Sequence, residues 1–145
     1  MAVKERVLDL ANKISNKQRG TKAEIKATDP EYMILEPIVT DEMAEAAMGL
    51  AFRIPRSAEE VAALCGKPVE LTAKLLWELA DAGVCFVNKK DGVDKYWYDT
   101  WIPGIMEMMV NKYSNVEKYP QIGRAMEAYG RVRGPMTAGV FPVGT

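Results

Sequence analysis

The chain contains no histidine. That removes the commonest general base, every histidine-dependent nucleophile triad and most zinc sites. Cysteine is nearly as scarce: Cys65 and Cys85 complete the inventory, and no CxxC occurs. The pattern places both at buried positions, at the end of a helix and in a strand, as reduced core thiols; a disulfide between them is the alternative. No apolar run approaches the roughly 20 residues of a membrane span, and the N-terminus lacks the apolar core of a signal peptide. No membrane partner is expected, and a cytoplasmic location is the default. Charge imbalance is missing too. The net charge is −1, so the chain as a whole has no pull towards nucleic acid or an anionic membrane. No nucleophile, base and metal come together in the pattern, so no catalytic, cofactor-binding or metal-ligating residue is nominated.

What is present is an ordinary globular composition, 48% apolar and 27% charged, over 145 residues. That length predicts one domain with room for additions to a minimal core. The informative stretch runs from Ser57 to Asp99. Ser57 precedes Glu59 and Glu60, the capping-box pattern, and Val61, Ala62, Leu64 and Cys65 give an apolar stripe at helical spacing. Gly66 breaks that helix, and Pro68 opens a longer one to about Asp81. There Leu71, Thr72, Leu75, Leu76, Leu79 and Ala80 share one side, with Glu70, Lys74, Glu78 and Asp81 opposite. Gly83 closes it. Two β-prone runs, Val84–Val87 and Tyr96–Tyr98, flank NKKDGVDK, whose Asp91-Gly92 is a hairpin signal. Helix, turn, helix and hairpin in that order predict a winged helix-turn-helix.

The rest reads as additions to that core, giving a mainly α fold with a small β-hairpin and extra N- and C-terminal helices. Residues 1–28 form a basic helix (Met1 to Asn16, with Val3, Val7, Leu8, Leu10, Ala11 and Ile14 as its stripe) and a loop from Gln18 to Thr28. Such a helix serves as a nucleic-acid arm, or docks its stripe on its own domain or a second copy; a homodimer is one outcome. The winged-helix core spans 29–99. It starts with a short turn capped by Asp29, with Pro30 first and Tyr32, Met33 and Leu35 inward, and continues with a helix from Thr40 to about Phe52. Ile54-Pro55-Arg56 is where a small sheet takes its first strand. Residues 100–133 are a helical extension, with helices over about 103–113 and from Tyr119 to about Arg133. The methionines at 106, 108 and 109 are either gap-fillers or a plastic docking surface. Residues 134–145, apolar and rich in Gly and Pro, are expected as a strand or linker leading to a downstream region.

Two interface readings compete. A groove-reading helix presents Arg, Lys, Asn or Gln. The outward face of 68–81 instead offers Glu70, Lys74, Trp77, Glu78 and Asp81. Carboxylates facing phosphates oppose the counterion-release term that drives non-specific affinity. Lys67, Lys74, Lys89, Lys90 and Lys95 are the candidate nucleic-acid contacts, with Asp91 and Asp94 among the wing lysines. The competing set is aromatic: Trp77, Tyr96, Trp97 and Trp101 form a candidate partner interface. Strand alternation puts Trp97 on the opposite face from Tyr96 and Tyr98. One set enters the core, and the other is covered by the C-terminal helices, by a partner, or by nothing.

The segments TDPEYMILEPIVTDEMAEAAMGL and AEEVAALCGKPVELTAKLLWELADAGV, the run WIPGIMEMM and the tail PMTAGVFPVGT resemble the N-terminal region of anaerobic bacterial iron–sulfur (ferredoxin-type) oxidoreductase proteins. The resemblance covers about residues 28–145. It implies a non-catalytic winged-helix interaction module preceding ferredoxin-type cysteine motifs, electron transfer by the whole protein, and iron–sulfur clusters bound beyond Thr145. It carries no ligand role onto Cys65 or Cys85, which lack the ferredoxin spacing. The implied partner is a downstream iron–sulfur domain or a redox protein. The alternative is a winged-helix DNA-binding transcriptional regulator, dimeric through the N-terminal helix.

Overall fold

The chain was analysed as a computed structural model, which describes residues 2–19, 24–111 and 117–137. In chain order these form α1 (Glu5–Arg19), α2 (Pro30–Leu35), α3 (Asp41–Ala47), β1 (Arg56–Ser57), α4 (Ala58–Cys65), α5 (Val69–Ala82), β2 (Phe86–Lys90) and β3 (Val93–Trp97). A π-helical turn (Trp101–Ile105) then runs into α6 (Met106–Asn111), and α7 (Pro120–Thr137) ends the described chain. The fold is mainly helical with a small antiparallel sheet in the order β1-β3-β2.

Local chemistry sets most boundaries. The Ser57 hydroxyl accepts from the Glu60 amide at 3.2 Å, and the Glu60 carboxylate accepts from the Ser57 amide at 3.0 Å, so α4 starts in a reciprocal capping box. α5 begins at Val69 because Pro68 keeps an extended ψ of 146° while its carbonyl accepts from both the amide and the hydroxyl of Thr72. Gly83 ends α5 at φ 86°, and a Cβ there would sit 2.8 Å from the Met108 backbone, so α6 crosses at a point only glycine permits. The wing turns through Asp91 and Gly92, both at positive φ (54° and 80°). That is the two-residue geometry whose twist matches its strands. Phe86 pairs with Trp97 and Lys90 with Val93, while Arg56 and Ser57 pair with Tyr96 and Lys95 on the other edge of β3.

Several elements depart from expectation. α1 starts at Glu5, where the Lys4 amide is tied to the Tyr32 hydroxyl at 2.9 Å, and Val7, Leu10, Ala11 and Ile14 are buried within the chain itself. Asp29 precedes α2 without capping it through its side chain; its carboxylate accepts from the Lys26 amide instead. Met33 faces outward at 47% exposure and Glu31 turns inward. α3 stops at Ala47 rather than about Phe52. The Ala51 carbonyl and Arg53 amide are used by Tyr98, which extends the sheet edge in place of the helix. Leu64 is exposed and Cys65 half-buried, so of the two free thiols only Cys85 lies in the core. Val84 and Cys85 precede the first wing strand. Met106 and Met109 fill interior space. α7 continues over Gly134–Thr137, where a strand or linker was expected; residues 138–145 lie outside the described residues.

The terminal segments share one core. The Trp101 indole N–H donates to the Ser15 hydroxyl at 3.0 Å in the interior, 86 residues away. The Gln18 amide spans the Ile102 backbone, accepting at 3.1 Å and donating at 3.0 Å. Trp101 also packs on Tyr129 of α7 at 6.5 Å between ring centroids. α1, α2, the π-helical turn and α7 therefore close over one another against the segment from α3 to β3.

Candidate partner interface

The surface of interest is the outer side of α5. At 100° per residue Glu70, Lys74, Trp77 and Asp81 fall on one stripe, flanked by Glu78. All five are exposed, while Thr72, Leu75, Leu76, Leu79 and Ala80 are buried. Trp77 keeps 58% of its surface in solvent, and none of Glu70, Glu78 and Asp81 forms an ion pair among the described residues. A large aromatic is thus held in open water amid unneutralised carboxylates. The fold gains little from it there.

The remaining aromatics divide by strand parity. Tyr96 and Tyr98 point into the core, and burial pushes both phenols above their ordinary range. Trp97, on the other face of β3, is half-buried and tilts against Phe86 at 5.9 Å. Trp101 is wholly interior. Tyr96 and Trp101 therefore drop out of the expected aromatic docking set, Tyr96 because it faces the core and Trp101 because α1 and α7 enclose it. Trp77 and Trp97 stay within reach of a partner. Leu64, expected in the apolar stripe of its helix, and Val69, which patterning did not single out, are exposed at either side of the α4–α5 turn.

The expected lysines also divide. Lys67 is paired with Glu45 at 3.2 Å and Lys95 with Glu60 at 3.4 Å. Lys74, Lys89 and Lys90 are exposed and have no ion-pair partner among the described residues. No cluster of His, Cys, Asp or Glu able to hold a metal ion occurs among the described residues, and no described helix is long and apolar enough to cross a membrane. Burial pushes the Cys85 thiol far up, which keeps it protonated and unreactive.

Comparison of the chain with family models, curated proteins and solved structures gives no match.

Proposed function

We propose that the segment from α3 to β3 is a winged-helix module whose α5 face docks a polypeptide partner, and that this partner belongs to an iron–sulfur electron-transfer system. The winged-helix reading is supported by the sequence of elements, helix, short strand, two helices and hairpin, with β1 pairing on the outer edge of β3. The observation that carries the docking reading is Trp77, exposed among Glu70, Glu78 and Asp81 on the helix that would enter a groove in a DNA-binding relative of this fold. Carboxylates there repel phosphates, whereas an exposed tryptophan is a favoured anchor for protein contacts. The redox assignment rests on the sequence resemblance.

Isothermal titration against the cluster-bearing polypeptide encoded with the chain tests the proposal. Micromolar binding that vanishes in Trp77→Ala is expected; no heat at those concentrations refutes it.

A second reading, a DNA-binding regulator, is favoured by Lys74, Lys89 and Lys90, which are exposed and have no ion-pair partner among the described residues. It requires DNA retention that falls steeply with salt and weakens when Lys89, Lys90 and Lys95 become Ala. Dimerisation in that reading needs a surface other than the stripe of α1, which is already buried in its own chain.

A further inference from the structure

A second charged surface joins α1 to the turn that precedes β1. Lys13 and Lys17 stand one turn apart on α1. Lys13 donates to the Met48 carbonyl at 2.7 Å and lies over the Tyr98 ring at 5.3 Å. Lys17 and Arg53 both lie over Phe52, at 5.6 and 4.8 Å, and Phe52 meets Tyr98 edge-on at 5.7 Å. Arg56 closes the group through a 2.8 Å bond to the Gly49 carbonyl. Three cations thus lie over one aromatic pair, the half-buried Phe52 and the buried Tyr98, with Arg56 as a fourth beside Lys13.

Two features mark this as more than a solvated face. Arg53 has φ 57°, a costly conformation for a residue with a Cβ, and it is held there by its amide bond to the Tyr98 carbonyl at 3.0 Å. The backbone is bent into a disfavoured region at the residue that brings its guanidinium over Phe52. The cations are also crowded without local neutralisation: among the described residues only Asp99, on Arg53, forms an ion pair with any of the four. Burial, and to a smaller extent Arg56 and Lys17, hold the Lys13 ammonium below the usual lysine range.

We propose that this basic–aromatic patch is a docking site for an acidic polypeptide segment, distinct from the α5 face and independent of its function. Carboxylates would meet Lys13, Lys17 and the outer edge of Arg53, and an apolar side chain would cover Ile54, which follows Arg53 in the chain and is 61% exposed. Nucleic acid fits less well, for two reasons. The shallow cleft of about 630 Å³ beside Lys13 and Lys17 is also lined by Asp9 and Glu24. An evenly charged phosphate chain meets both carboxylates, while a peptide can space its acids to avoid them. The Phe52 and Tyr98 rings already carry cations, which leaves bases less room to stack.

Fluorescence anisotropy with a labelled peptide, in which Glu residues flank a central Leu-Phe pair, tests the site beside a labelled oligothymidylate of equal charge. The peptide should bind the full chain, lose about tenfold in affinity in Lys17→Glu, and keep its affinity in the wing variant Lys90→Glu. Ile54→Asp should weaken it as well. Thermal unfolding checks that each variant is folded, and Lys17→Gln replaces Lys17→Glu if the latter is not. No binding at millimolar peptide overturns the proposal, as do equal losses in the α1 and wing variants or tighter binding of the oligothymidylate.

Discussion

Arg133, near the end of α7, donates through Nε to the Glu31 carboxylate in α2 at 2.8 Å, across 102 residues of chain. Glu31 is 1% exposed, and its second oxygen lies 3.4 Å from the same guanidinium, with Asp29 3.7 Å away. The fork geometry suits a bidentate pair, and those carboxylates hold the Arg133 guanidinium above its ordinary range. α2 and α7 are clasped together here.

Removing one partner of a buried pair strands the other in low dielectric, and that cost exceeds the net value of the pair itself. Arg133→Ala should therefore lower stability by about 3 kcal/mol in urea unfolding. Replacing Glu31 and Arg133 together with Leu and Met should recover much of the loss. Hydrogen exchange should speed up in α2 and α7 of the single variant before it does so in α5. Equal loss in the single and double variants would mean that the clasp acts through packing alone.

The capping box of α4 makes a pH-dependent prediction. The Ser57 amide and hydroxyl, with Lys95, hold the Glu60 carboxyl below its ordinary value of 4.5. A folded-state value below the unfolded one adds stability above the unfolded value, and that increment is lost as pH falls through the folded one. The Glu60 side-chain carbon signal should titrate below 4.5 in the native chain and move up in Ser57→Ala. An unchanged inflection would place the cause outside the box.

The thiols should separate cleanly. Cys65 is half-buried and Cys85 lies in the core, where burial raises its proton affinity and its thiol contacts the Leu76 carbonyl at 3.6 Å. An aromatic disulfide reagent should modify Cys65 in the native chain and reach Cys85 only in denaturant. The lag on Cys85 measures the opening of the α5–β2 junction.

What could be read from the residues was local. The Ser57 box, the Asp91-Gly92 turn and the two faces of α5 are decided within a few residues, by side-chain caps, positive φ and helical period. What could not be read was decided at long range. Trp101 was expected at an interface because aromatic area near the wing has no cover within its own stretch; its cover comes from Ser15 and Tyr129, far away in the chain. Nothing near Glu31 in the sequence reveals that Arg133 arrives from the far end. α3 ended early because Tyr98, distant in sequence, takes the backbone groups of Ala51 and Arg53. Patterning sees which side of a helix is apolar. It does not see which distant segment will cover it.

Trp77 and Trp101 carry the same side chain in opposite roles, and that contrast separates a functional surface from a structural one. Trp101 is wholly enclosed, with its N–H satisfied by Ser15, so Trp101→Ala should cost about 3–5 kcal/mol through the cavity and lost contacts. Ser15→Ala should cost a further share of its own, about 1–3 kcal/mol, because it leaves the indole N–H buried without an acceptor. Trp77 is more than half in water, so Trp77→Ala should shift unfolding by no more than about 0.5 kcal/mol. Iodide should quench emission that disappears with Trp77 and spare emission that disappears with Trp101. If Trp77→Ala instead destabilises the chain as much as Trp101→Ala, the α5 aromatic is part of the core, and the docking reading of that face loses its support.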